Sequence, residues 1–180
     1  MWISDLTKYH TFEMDELYWF INVKKTSKGR ENAHIMTLIS RQPRQILAFN
    51  VDRHILDEHL QQMVDSVDPA KYYATDGYYG YLNVDFLGQH LYNINSKEHT
   101  FTVEGINSDL RHYISGLARK SRCFYRKLET LQAVLAVFIN AYNKYGEYKL
   151  TYQKPTRHKS YPQKGYHKYQ HLPLSILDFL

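Results

Sequence analysis

Residues 12–23 read FEMDELYWFINV. Aromatic and β-branched side chains dominate this stretch, which predicts a β-strand. A carboxylate, Asp15, stands in its middle. Facing water, that carboxylate needs nothing. Facing inward, it needs a metal or a cationic partner, because an unpaired buried carboxylate is costly. The alternation in FEMDELYWF is too poor to say which way it faces.

Outward from this strand the pattern repeats. Lys24 to Glu31 is polar and contains Gly29, which predicts a turn. A second strand is predicted over His34–Ser40, a turn over RQPRQ with Pro43, and a third strand over Ile46–Val51. Short polar turns between consecutive strands give an antiparallel meander. The period then changes. Ile55, Leu56, Leu60, Met63, Val64 and Val67 recur at helical spacing, with Asp52 as the expected N-cap and Asp68-Pro69 as the stop. KYYAT (71–75) is a short strand running into Asp76-Gly77. Tyr78–Phe86 is expected as a short helix and His90–Ile94 as another strand. Val103, Ile106, Leu110, Tyr113, Ile114 and Leu117 make one apolar stripe on a long helix. A second helix, Leu128 to Tyr145, is apolar on most faces, expected to be deeply buried and to end at a Gly146 cap. The expected class is α/β: a mixed sheet of about five strands, the first three antiparallel, flanked by helices. This is the element order of the RNase H-like fold.

Composition bounds the function. The chain has 180 residues, 43% hydrophobic and 23% charged, which excludes a disordered protein. A lone Cys123 excludes an internal disulfide framework and suggests a reducing compartment. No apolar run reaches the roughly 18 residues that span a bilayer, and MWISDLTKYH lacks the order of a signal peptide. No membrane association and a cytoplasmic location are expected. Net charge is +5, the isoelectric point is near 9.1 and 17 residues are Tyr. Such a surface suits a polyanion such as DNA. Residues 147–171 are rich in Lys, Tyr and Pro, and the last residues, LPLSILDFL, are apolar enough to dock back on the domain. The expected organisation is a catalytic domain over 1–146 and a basic, aromatic-rich tail over 147–180. His34, His54 and His59 lack a metal-ligand spacing and read as surface or packing residues.

Three acids fall where this fold would gather them: Asp15 in the first strand, Asp76 at the end of the fourth, and Glu104 in the first turn of the long helix. Singly, each has an ordinary reading: a solvated strand residue, a turn Asp, a helix N-terminal Glu complementing the dipole. Together they match two-metal phosphoryl transfer, in which carboxylates hold hard cations that stabilise the attacking and leaving oxygens. Asn107 and Arg111 follow Glu104 at three and seven residues, which stacks all three on one helical face about 100° from the apolar stripe. The guanidinium fork of Arg111 suits phosphate oxygens.

EMDELYWFINVKK, ATDGYYGY and TFTVEGINSDLRHYISGLARKSRCFYR resemble the three catalytic blocks of the insertion-sequence-one (IS1) family of DDE transposases. The resemblance spans about residues 12–145, and its third block is the most specific. It implies that Asp15, Asp76 and Glu104 are the catalytic, metal-binding triad, with two Mg²⁺ or Mn²⁺ ions as cofactors. Asn107 and Arg111 would be accessory residues and DNA contacts, Arg111 to the transposon end, and Glu16 an accessory acid; by charge alone the basic run Arg119, Lys120, Arg122, Arg126 and Lys127 and the tail are candidate phosphate contacts. The implied reaction is attack of water at the element's end, followed by attack of the freed 3′-hydroxyl on target DNA. The implied partners are double-stranded transposon ends and target, further copies of the chain on DNA, and an upstream zinc-finger and helix-turn-helix region. The implied place is the bacterial cytoplasm, at the nucleoid.

The match has departures. Gly105 stands where the family often has a basic residue, and Tyr18 where Trp is usual. Only 14 residues precede Asp15. The chain would then be a second reading-frame product normally made as a fusion, or a truncated remnant. The alternatives are a catalytically idle DNA-binding regulator of transposition and another RNase H-like nuclease such as a junction resolvase.

Overall fold

The computed structural model describes residues 11–22, 28–92, 99–118 and 123–151, the last six as backbone only. Five strands form one sheet: β1 Thr11–Ile21, β2 Glu31–Ser40, β3 Gln45–Asp52, β4 Tyr72–Thr75 and β5 Gln89–Tyr92. Their order across the sheet is β3-β2-β1-β4-β5. The first three pair antiparallel, and β4 and β5 pair parallel beside β1. Three helices flank the sheet: α1 Asp57–Asp65, α2 Phe101–Tyr113 and α3 Leu128–Thr151. This is the expected α/β mixed sheet of RNase H-like topology.

The pleat of β1 distributes its side chains between two cores. Leu17, Trp19 and Ile21 pack with Ile35, Ile39, Ile106, Leu110, Leu135 and Phe138 beneath α2 and α3. Met14 packs with Met36, Leu38, Leu60, Met63, Tyr73 and Tyr81 beneath α1. Both faces of β1 are therefore covered. That explains the weak alternation of FEMDELYWF, since a strand buried on both sides reads as a nearly continuous apolar run.

Several boundaries differ from the expected ones, for local reasons. Helix α1 is capped by Leu56, not Asp52. Asp52 ends β3, and its carboxylate accepts the His54 amide instead (3.2 Å), a short turn that competes with helix initiation. The expected helix over Tyr78–Phe86 is a single 3-10 turn, Tyr79–Asn83. Helix α2 stops at Tyr113, and Leu117 of its apolar stripe lies in a following 3-10 turn, Ser115–Leu117. Helix α3 runs through Gly146 to Thr151, so Gly146 is no cap. Nor is α3 buried on all sides, for Val137 is exposed. Gly29 has φ +86°, the conformation expected of the turn glycine before β2. Among the described residues no helix is long and apolar enough to cross a membrane. Residues 23–27, 93–98, 119–122 and the tail beyond 151 lie outside the described residues.

Candidate active site

Strand register brings the first two acids near each other. In the parallel pair β1·β4, Phe12 faces Tyr73, Glu13 faces Ala74 and Met14 faces Thr75. Asp15 and Asp76 follow the last of these pairs, close enough for the Asp76 charge to act on the Asp15 carboxyl. Asp76 lies at the carboxyl end of β4, where parallel strands open to ligands. A local turn holds it there: one carboxylate oxygen accepts the Tyr78 amide (2.9 Å). Thr75 hydrogen-bonds the Asp76 carbonyl (3.2 Å) and contacts His90 Nε2 (2.8 Å) on β5.

Helix α2 supplies the rest. Asn107 is buried, at 4% exposure, and its Nδ2 donates to Asp15 Oδ2 (2.8 Å). Its Oδ1 is buried with no hydrogen-bond partner among the described residues. Glu104, one turn earlier, acts on Asp15 as a like charge, and Asp76 does so more strongly. Burial, aided by those two charges, pushes the Asp15 carboxyl up to about 6, against the hydrogen bonds from the Glu16 amide and Asn107. Asp15 thus faces inward, toward Asn107 of α2, the costly case of the two that its strand allowed.

Three carboxylates and an orphaned amide oxygen are donors that fit a hard divalent ion. Among the described residues, however, no three carboxylate, imidazole or thiolate groups stand in ready coordination of one ion. Carboxylates without counter-charge repel one another, and closing on a cation would remove that repulsion.

Glu16 lies on the opposite face of β1, toward α1, where the Tyr81 hydroxyl donates to its Oε2 (2.6 Å). Burial first, then the charges of Asp15 and Asp76, raise its carboxyl to about 7; the Tyr81 bond opposes them. Removing that bond with Tyr81→Phe is expected to raise the Glu16 carboxyl still further, readable by carbon-13 NMR of the Glu side chains. An unchanged or lower value would show that the bond does not favour the ionised form.

The other expected contacts are placed as follows. Asn107 is turned inward to Asp15, so its amide is not offered to solvent. Arg111 is half-buried on the same helix, and Arg126 is exposed just before α3. Arg119, Lys120 and Arg122 lie outside the described residues. The roles of three residues went unnoticed in the sequence. Glu13 and Arg41 form a buried ion pair at the start of α2. Arg44 extends over Gly105, where its Nη2 would lie 3.1 Å from an added Cβ, and it pairs with Asp109 (3.0 Å). The absent side chain at 105 thus leaves room for a guanidinium brought from the β2–β3 turn. Arg41 and Arg44 lie in a turn outside the three blocks, Glu13 opens the first block with no role of its own, and each finds its partner across 28 or more residues of sequence.

An RNase H-like sheet with Asp15 on its central strand, Asp76 just after the neighbouring β4 and Glu104 on the crossing helix suggests the class of polynucleotidyl-transfer folds. The chain belongs to the IS1 transposase family, whose sequence model matches residues 9–145. No curated relative matches the chain. Membership in a DDE transposase family implies use of divalent metal and sets aside an unrelated RNase H-like nuclease.

Proposed function

We propose that this chain catalyses metal-dependent cleavage and strand transfer of insertion-sequence DNA. The reading rests above all on one observation: Asp15 on β1 feels the charges of Asp76 and Glu104, and α2 brings Asn107 to it. Asp15, Asp76 and Glu104 would hold two Mg²⁺ or Mn²⁺ ions. When bound, such ions activate the attacking oxygen and stabilise charge on the leaving oxygen. Asn107 orients Asp15 and keeps its carboxylate directed at the site. Arg111 takes a phosphate of the transposon end. Arg126, with Arg119, Lys120 and Arg122, follows the DNA backbone, and each phosphate neutralised steepens the salt dependence of binding. Glu16, tied to Tyr81, is an accessory acid on the far face of β1. No nucleophilic side chain is required, because water and then a DNA 3′-hydroxyl attack. The chain would act as a homo-oligomer on transposon ends and target, at the nucleoid, together with an upstream zinc-finger and helix-turn-helix region.

A second reading is favoured by the absence, among the described residues, of a ready three-ligand metal site. In it the chain is a catalytically idle regulator that occupies DNA ends. Incubation of the purified chain with end-bearing duplex and Mg²⁺ or Mn²⁺, alone and fused to an upstream DNA-binding domain, separates the two. Metal-dependent nicking supports the first reading. DNA binding without any nicking in either form supports the second.

A further inference from the structure

Glu13 is wholly buried, at 0% exposure, two residues before Asp15 on the same face of β1. Its Oε1 accepts a hydrogen bond from Arg41 Nε, and its Oε2 accepts one from the backbone N–H of Val103 (2.7 Å). Val103 is the third residue of α2, where helix amides have no acceptor within the helix. Thr100, the N-cap residue, makes no side-chain capping hydrogen bond, so Glu13 caps α2 from the neighbouring strand. Arg41 holds the other side of the same junction. It donates to the His99 carbonyl, and its guanidinium lies 4.9 Å from the centre of the Phe101 ring. Its own amide bonds to the Thr11 carbonyl (3.2 Å). Every group of this clamp belongs to β1, to the residue after β2, or to the entry of α2.

We infer that Glu13 and Arg41 are positioning residues: they fix where α2 starts along β1, and hence where Glu104 and Asn107 stand relative to Asp15. Apolar packing of Val103, Ile106 and Leu110 presses α2 on the sheet, but apolar contact is non-directional and does not set its position along the strand. The clamp is directional. It meets the helix at the residue before Glu104 and the strand two residues before Asp15. A buried ion pair is not needed for stability itself, since well-packed apolar replacements are often neutral. The inference rests on the reading of Asp15, Asp76 and Glu104 as metal ligands.

The test uses the full chain and the double variant Glu13→Met/Arg41→Met, which leaves no uncompensated buried charge, with Arg41→Lys as a milder companion. The double variant is expected to keep the parent's circular dichroism while needing about 10–100-fold more Mn²⁺ for binding and cleavage, as removal of groups that orient metal ligands does. Saturating Mn²⁺ should restore much of its rate, whereas Asp76→Asn should stay inactive at any Mn²⁺ concentration. Arg41→Lys keeps the charge and loses the fork, and should shift the requirement in the same direction by less. Variants that fold and show the parent's metal requirement overturn the inference, and if the double variant does not fold, Arg41→Lys alone decides. If the parent itself binds no Mn²⁺, the metal-site reading fails, and amide exchange over residues 103–107 then judges the clamp. Faster exchange in either variant supports it, and unchanged exchange overturns it.

Discussion

An Asp15→Asn protein is expected to lose strand cleavage by roughly 10³-fold or more, about 4 kcal/mol of barrier, and yet to melt higher than the parent without metal. Both effects have one origin. Asp15 is a buried carboxyl surrounded by like charges, raised to about 6. Its ionised form is what a divalent ion requires, and the metal-free fold resists that form. Asn is nearly isosteric, keeps an oxygen for the Asn107 amide and carries no charge. At pH 8 the substitution should stabilise the metal-free protein by about 1–3 kcal/mol, which for a chain of this size is a few to about ten degrees in melting temperature. Calorimetry and a nicking assay on the same preparation check the pair. A variant that cleaves like the parent, or melts lower without metal, contradicts it.

The second large effect is a pH dependence of stability that metal reverses. Asp15 moves from an ordinary 3.8 to about 6, and Glu16 from 4.5 to about 7. Both shifts are upward for acids, so the folded protein holds these protons more tightly than the unfolded chain. Their contribution to stability is complete below about pH 4. It is lost as pH rises through 6 and 7, on the order of 3 kcal/mol for each group alone. The two losses overlap, because each charge is part of what raises the other group. Metal-free melting temperature should therefore fall between pH 5 and pH 8. Millimolar Mg²⁺ or Mn²⁺ should recover much of the loss at pH 8 and little at pH 5, where protons occupy the carboxyls. A flat profile across this range, or equal stabilisation by metal at both pH values, contradicts the assignment of these shifts.

The sheet was legible from local features. The meander over β1 to β3 and the strand KYYAT were legible from composition and turn signals, the stripe from Val103 to Leu110 from its period, and the structure forms each of them. Helix ends were read less well, because they depend on competing short-range bonds. Asp52 satisfied the His54 amide and left Leu56 at the cap, and Gly146 was passed over within α3. The acids were legible as a pattern and not as a geometry. FEMDELYWF could not reveal that Asp15 faces α2 while Glu16 faces Tyr81, because both faces of β1 are buried. Asn107 was legible by its spacing from Glu104, but its buried contact with Asp15 was not. Glu13 opened the first block without a legible role: its partners Arg41 and Val103 are distant in sequence, and only the fold brings a strand, a turn and a helix start together.

The central claim is that Asp15, Asp76 and Glu104 together hold divalent metal. Mn²⁺ binding, followed by electron paramagnetic resonance at pH 7.5 with end-bearing duplex present, tests it most directly in the parent, Asp15→Asn, Asp76→Asn and Glu104→Gln. Saturable binding in the parent, weakened at least about tenfold by each substitution, is the expected result. Binding of equal strength in all four proteins, or none in the parent, would contradict it.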